Sequence, residues 1–169
     1  MITTCYRFAL AVVTTLMLAA TGAMAQIPAN DSCAGAVTIT ALPFTHSQNS
    51  RLATADPVDP ILACADSGCG KTVWFTYTPG ATQYVRFSTV GSTPADYDVA
   101  LGLFTGSCGS LVEVSCADDS IPGTLRAATL GYEVQLGVTY YLHVAEWKGG
   151  GPSGYVPTGG DLVLKVYLS

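Results

Sequence analysis

Four aspartates bracket a short apolar hairpin, and they are the one concentration of chemically useful side chains in the chain. Asp96-Tyr97-Asp98 precedes a run in which Val99, Leu101 and Leu103 share one parity, Leu111 and Val112 open a return run, and Gly106, Ser107, Cys108, Gly109 and Ser110 supply the turn between them. Asp118 and Asp119 close the return run, so an antiparallel pairing gathers all four carboxylates at one end of the hairpin. No Arg or Lys lies within residues 94–120 to neutralise them. A calcium ion would, because it takes about six to eight oxygens of the kind that carboxylates, loop carbonyls and water provide. The competing use needs no metal: Asp before and after strands accepts backbone N–H bonds and caps turns. Alternation favours the second use, since adjacent Asp118 and Asp119 point to opposite sides of an extended chain.

Catalytic readings find less support. Asp66-Ser67-Gly68, followed by Cys69-Gly70, is similar to the nucleophile loop of trypsin-like proteases, but a nucleophilic serine needs a histidine base and an orienting carboxylate. Neither His46 nor His143 sits in a supporting motif, and His143, between Leu142 and Val144, reads as a half-exposed strand residue. Glu113 alternates with Val112 and Val114 and faces solvent in that pattern, which leaves a glycosidase without its carboxylate pair. No nucleophile elbow, zinc-protease helix, phosphate-cradling loop or dinucleotide fingerprint is present. No catalytic residue is assigned, and the chain is expected not to be an enzyme.

Binding residues are expected on loops. Residues 149–160 form a long glycine-rich connection that follows Glu146-Trp147-Lys148. Trp147 and Tyr155 there offer flat apolar faces to a sugar or peptide; alternatively Trp147 covers an edge of the fold.

The elements that must position these residues follow an exported leader. Residues 1–25 read as a signal peptide, with Arg7 in the n-region, an apolar run over 8–20 and Ala23-Met24-Ala25 before Gln26. Its removal leaves 144 of the 169 residues as one domain, with six Lys/Arg against twelve Asp/Glu, a net charge of −6 and no membrane span. Nucleic acid and anionic membranes are poor partners for such a surface. A secreted location, extracellular, periplasmic or in the cell envelope, makes disulfides the expected use of the five remaining cysteines, and zinc is disfavoured by the absence of any Cys-x-x-Cys pair. A strand from Leu111 to Cys116 spans roughly 17 Å, too far for a bridge to Cys108. Cys116 is therefore expected to pair with Cys64 or Cys69, Cys33 to join a second bridge, and Cys108 to stay free.

Short β-type runs fill the rest, at residues 37–40, 51–55, 72–78, 84–89, the hairpin, 125–130, 132–136, 139–144 and 162–168. About nine strands, 18 glycines, nine prolines and 11% charged residues predict an all-β antiparallel sandwich or jelly-roll. Its wall is expected from Val73, Phe75, Tyr77, Val85, Phe87, Val99, Leu101, Leu103, Tyr141 and Leu162, with Trp147 on an exposed loop.

Several pieces together resemble one family, the secreted bacterial pre-peptidase C-terminal domains. They are Asn30-Asp31-Ser32-Cys33-Ala34, Val73-Trp74-Phe75-Thr76-Tyr77, Asp96-Tyr97-Asp98-Val99-Ala100-Leu101, Phe104-Thr105-Gly106, Cys116-Ala117-Asp118-Asp119, Gly137-Val138-Thr139-Tyr140-Tyr141-Leu142-His143-Val144 and Gly160-Asp161-Leu162. The resemblance implies a β-sandwich that accompanies a secreted hydrolase or adhesin without being catalytic, and that in some members binds calcium or an extracellular polymer. The chain departs from that pattern in carrying no attached enzyme, and where some relatives have cysteine it has Val90. Two functions from different classes are expected on this basis: a recognition module for an extracellular polysaccharide or protein, or a structural envelope or matrix component without a discrete ligand.

Overall fold

A computed structural model describes residues 26–65, 69–121, 125–147 and 156–169. The leader at 1–25, Ser67 and Tyr155 lie outside the described residues. Among the described residues, ten strands form two five-stranded sheets. The strands are β1 (Val37–Ile39), β2 (Phe44–Asn49), β3 (Cys69–Tyr77), β4 (Gln83–Ser88), β5 (Val99–Ser107), β6 (Ser110–Ala117), β7 (Asp119–Ile121), β8 (Leu125–Val134), β9 (Tyr140–Trp147) and β10 (Asp161–Leu168). The first sheet runs β1-β3-β9-β5-β6 and the second β2-β10-β4-β8-β7, so the all-β sandwich expected from the sequence is what forms. Pairing is antiparallel except for β1 beside β3.

Period-two patterning explains the core. Val73, Phe75 and Tyr77 of β3, Val99, Leu101 and Leu103 of β5, and Leu142 and Val144 of β9 face Val85, Phe87, Leu130, Leu162, Leu164 and Val166 of the other sheet. Nine of the ten expected wall residues lie in this cluster; Tyr141 instead packs on the opposite side of the first sheet. That opposite side is covered too. Leu62 and Ala65 from the connection between β2 and β3 lie on Trp74, Ala100 and Phe104, forming a second apolar cluster. Gly102 makes this possible, since a Cβ there would run into Leu62 and the Phe104 ring.

Two disulfides tie down this cover. Cys64 joins Cys116 with Cα atoms 6.0 Å apart, as one of the two expected pairings has it. Cys33 joins Cys108 at 5.7 Å, and Cys69 is the free thiol among the described residues, so the expectation of a free Cys108 and a bridged Cys69 is corrected. Cys108 sits in the hairpin turn beyond β5 rather than in a strand, and there it meets the short 3-10 turn Cys33–Gly35. Burial pushes the Cys69 thiol up to about 12, helped by the charge of Asp118.

Three other expectations change. Residues 51–55 are turn and loop, and the polar segment Phe44–Asn49 is the strand that was not anticipated. Residues 125–130 and 132–136 are one strand, β8, that ends at Val134. Gly131 does not break it, because the Tyr84 ring of β4 lies where a Cβ would stand.

Candidate functional site

Asp98, Asp118 and Asp119 converge where the hairpin ends. One carboxylate oxygen from each lies within 4.8 Å of the others. Asp98 immediately precedes β5, which pairs Leu101 with Ala117 at the end of β6. Asp118 falls between β6 in the first sheet and β7 in the second, so the chain is crossing between sheets there. The crossing breaks strand alternation, which is why two adjacent aspartates turn to the same place. Asp96 is not brought into the group; it is exposed in the preceding turn.

The electrostatics follow from burial. Asp98 is 5% exposed, and its carboxyl is raised by burial and then by the charge of Asp119. Asp118 is raised to about 6 by burial and by the charges of Asp98 and Asp119. At an effective dielectric near 20, two such charges about 5 Å apart repel by roughly 3 kcal/mol. Arg126 of β8 opposes this, placing Nη1 2.6 Å from Asp98 Oδ2. The expectation that no base serves the cluster held only for neighbours in sequence, since Arg126 arrives from the facing sheet. Asp98 Oδ1 and Asp118 Oδ1 are buried without a hydrogen-bond partner, although the Asp119 backbone N–H draws the Asp118 carboxyl down as a turn cap would. These oxygens fit a hard cation, which Asp98, Asp118 and Asp119 would hold with further oxygens from solvent.

The other expected site residues are placed differently. Trp147 ends β9, pairs with Cys69 and packs half-buried against the second cluster. The exposed-loop placement is thus corrected, and the packing matches an edge-covering role. Glu113 is half-buried and accepts the Ala63 N–H at 3.2 Å, which helps hold the covering loop. Glu146 is fully buried and accepts the Gly159 N–H at 2.6 Å, fixing the far end of the glycine-rich connection.

His143 is also corrected, from half-exposed to fully buried, because its face of the first sheet lies under the second cluster. Its ring lies 4.5 Å from Trp74, neither ring nitrogen has a hydrogen-bond partner, and burial pushes its pKa down to about 3. Below about pH 6.5 the unfolded chain takes up a proton that the native ring refuses until about pH 3, so this residue withdraws stability as pH falls through that window. Comparing the parent with His143→Phe at pH 7 and pH 5 by denaturant unfolding is expected to show the variant gaining relative stability on acidification. The gain should approach about 1.4 kcal/mol per pH unit; a constant difference would place the ring's proton uptake elsewhere.

No family model and no curated protein matches the chain. Among solved structures it is similar to the pre-peptidase C-terminal domain of collagenase from Bacillus anthracis, determined at 1.0 Å. The similarity covers 78% of this chain and 93% of that one, with 14% identity and a TM-score of 0.48.

Proposed function

We propose that this chain is a secreted, non-catalytic recognition module that engages an extracellular polysaccharide or protein, and that a calcium ion held by Asp98, Asp118 and Asp119 sets the end of its hairpin. The observation that supports the reading is the convergence of three carboxylates with two buried, unpartnered oxygens and, among the described residues, one arginine. A cation there joins β5 to the crossing between the sheets and so fixes the loops at that end. It would act by structure and charge rather than as a Lewis acid, since no nucleophile and base stand together beside it among the described residues. The two disulfides are compatible with an oxidising, extracellular setting. Cosedimentation with insoluble cell-wall and extracellular polysaccharide fractions, and with immobilised surface proteins, tests the recognition role. Retention that is lost in chelator is expected. Failure to be retained by every fraction with calcium present would favour the structural envelope or matrix reading instead.

A further inference from the structure

The two sheets differ in what covers their outer sides. The first lies under the connection that bears Leu62 and Ala65, whereas nothing among the described residues buries the second, on which Thr45, Tyr84, Arg86, Glu133, Lys165 and Tyr167 are all exposed. Register sets out what this open face presents. Tyr167 of β10, Arg86 of β4 and Gly131 of β8 lie in one row across three strands, and Lys165 stands two residues before Tyr167, diagonal to Arg86. The Tyr84 ring reaches over Gly131, where a Cβ would come within 2.6 Å of its hydroxyl and 2.9 Å of a ring carbon. Arg86 is therefore flanked in its row by two open aromatic rings, Tyr84 at 47% and Tyr167 at 38% exposure.

The charge of the face runs against that of the chain. In a sequence of net charge −5, Arg51 pairs with Asp161 and Arg126 with Asp98, while neither Arg86 nor Lys165 joins an ion pair among the described residues. Glu133 stands opposite Tyr84 rather than Arg86, and Asp161, at the far end of β10, is taken by Arg51 and Asn49. Arg86 Nε donates to Ser169 Oγ at 3.1 Å, which holds the guanidinium and leaves its Nη groups to a ligand. Lys165 Nζ gives one proton to the Val90 carbonyl at 3.0 Å and keeps two. Such a guanidinium takes a carboxylate in a forked pair, and an open aromatic face takes the C–H side of a sugar ring. A protein interface gathers a desolvated apolar centre, whereas the centre here is charged. We infer that the outer face of the second sheet binds an acidic polysaccharide, its sugar rings lying on Tyr84 and Tyr167 and its carboxylates meeting Arg86 and Lys165. This rests on the recognition role proposed above, for which it names the surface and the class of ligand.

Calorimetric titration in calcium-containing buffer, with oligosaccharides of hyaluronan and of polygalacturonate and with the same oligosaccharides after reduction of their carboxylates to alcohols, tests this. At least one acidic form is expected to bind, and its reduced form to bind about tenfold more weakly or worse. Arg86→Gln and Tyr84→Ala should each weaken the acidic form by about tenfold or more. Lys71→Gln, the same change of charge on the first sheet, should leave its Kd within about twofold. Equal binding of acidic and reduced forms would overturn the proposal, as would polyglutamate binding as tightly as either glycan, or an Arg86→Gln variant that matches Lys71→Gln. If neither acidic glycan binds while a cell-wall, polysaccharide or surface-protein fraction retains the protein, this face is wrongly assigned and the recognition role stands; if no fraction retains it, both fall. Should Tyr84→Ala fail to fold, Arg86→Gln against Lys71→Gln decides.

Discussion

Replacing both Cys64 and Cys116 by Ser is expected to lower the unfolding free energy by about 4 kcal/mol, within the 2–5 kcal/mol range of native disulfides in exported domains. The bridge closes a sequence separation of 52 residues, and loop-closure entropy for that length gives the central figure. Its structural role points the same way. The connection that carries Leu62 and Ala65 forms no strand among the described residues; Thr72 of β3 bonds to its Thr54 and Asp59, and this bridge and Glu113 hold the part that covers Trp74, Ala100 and Phe104. Denaturant midpoints of the oxidised parent and the double variant measure the difference. A loss below about 1 kcal/mol would mean that the apolar contacts of the loop suffice to hold it.

Leu101→Ala is expected to cost about 2–5 kcal/mol. Leu101 is fully buried in the central cluster, and β5 pairs it with Val144 of β9 on one side and Ala117 of β6 on the other. Strands on both flanks limit how far the backbone can relax into the vacated space, which places the change toward the upper part of that range. The contrasting substitution is Val112→Ala on β6, where the side chain is 63% exposed and the loss should stay within about 0.5 kcal/mol. Comparable losses at the two sites would contradict the assignment of the sandwich interior.

Alternation made the interior readable because one face of each main strand packs on the other sheet: Val99, Leu101 and Leu103 share a parity in sequence and a cluster in space. The other face of the same sheet was not readable. His143 and Trp74 look half-exposed by alternation, and only the loop bearing Leu62, remote in sequence, buries them. β2 escaped for the opposite reason. Its inward residues are Phe44, His46 and Gln48, so there is almost no apolar period to detect; His46 stacks on Phe44 and packs edge-on to Phe75, while its Nε2 lies 2.8 Å from Gln48 Oε1.

The site was legible in the same uneven way. Antiparallel pairing of the hairpin is enough to bring Asp98 beside Asp118 and Asp119. Asp96, two residues earlier, shares the parity of Asp98 but sits in a turn where parity no longer governs direction. Arg126 could not be foreseen, because it reaches the cluster through the packing of the sheets rather than through the hairpin. Trp147 looked like a loop residue because glycines follow it, yet β9 continues through it by pairing with Cys69.

The most direct test of the cation at the hairpin end is thermal unfolding of the protein in excess calcium and in chelator, alongside Asp118→Asn. A ligand bound only to the native state and present at about 100 times its Kd adds about 2.7 kcal/mol, a rise of several degrees in Tm for a domain of this size. The parent should show that rise with calcium and lose it in chelator. Asp118→Asn removes one ligand charge and relieves repulsion on Asp98, so it should melt no lower than the parent in chelator and respond weakly to calcium. A parent whose Tm is the same in calcium and in chelator, and indistinguishable from Asp118→Asn in both, would contradict the account.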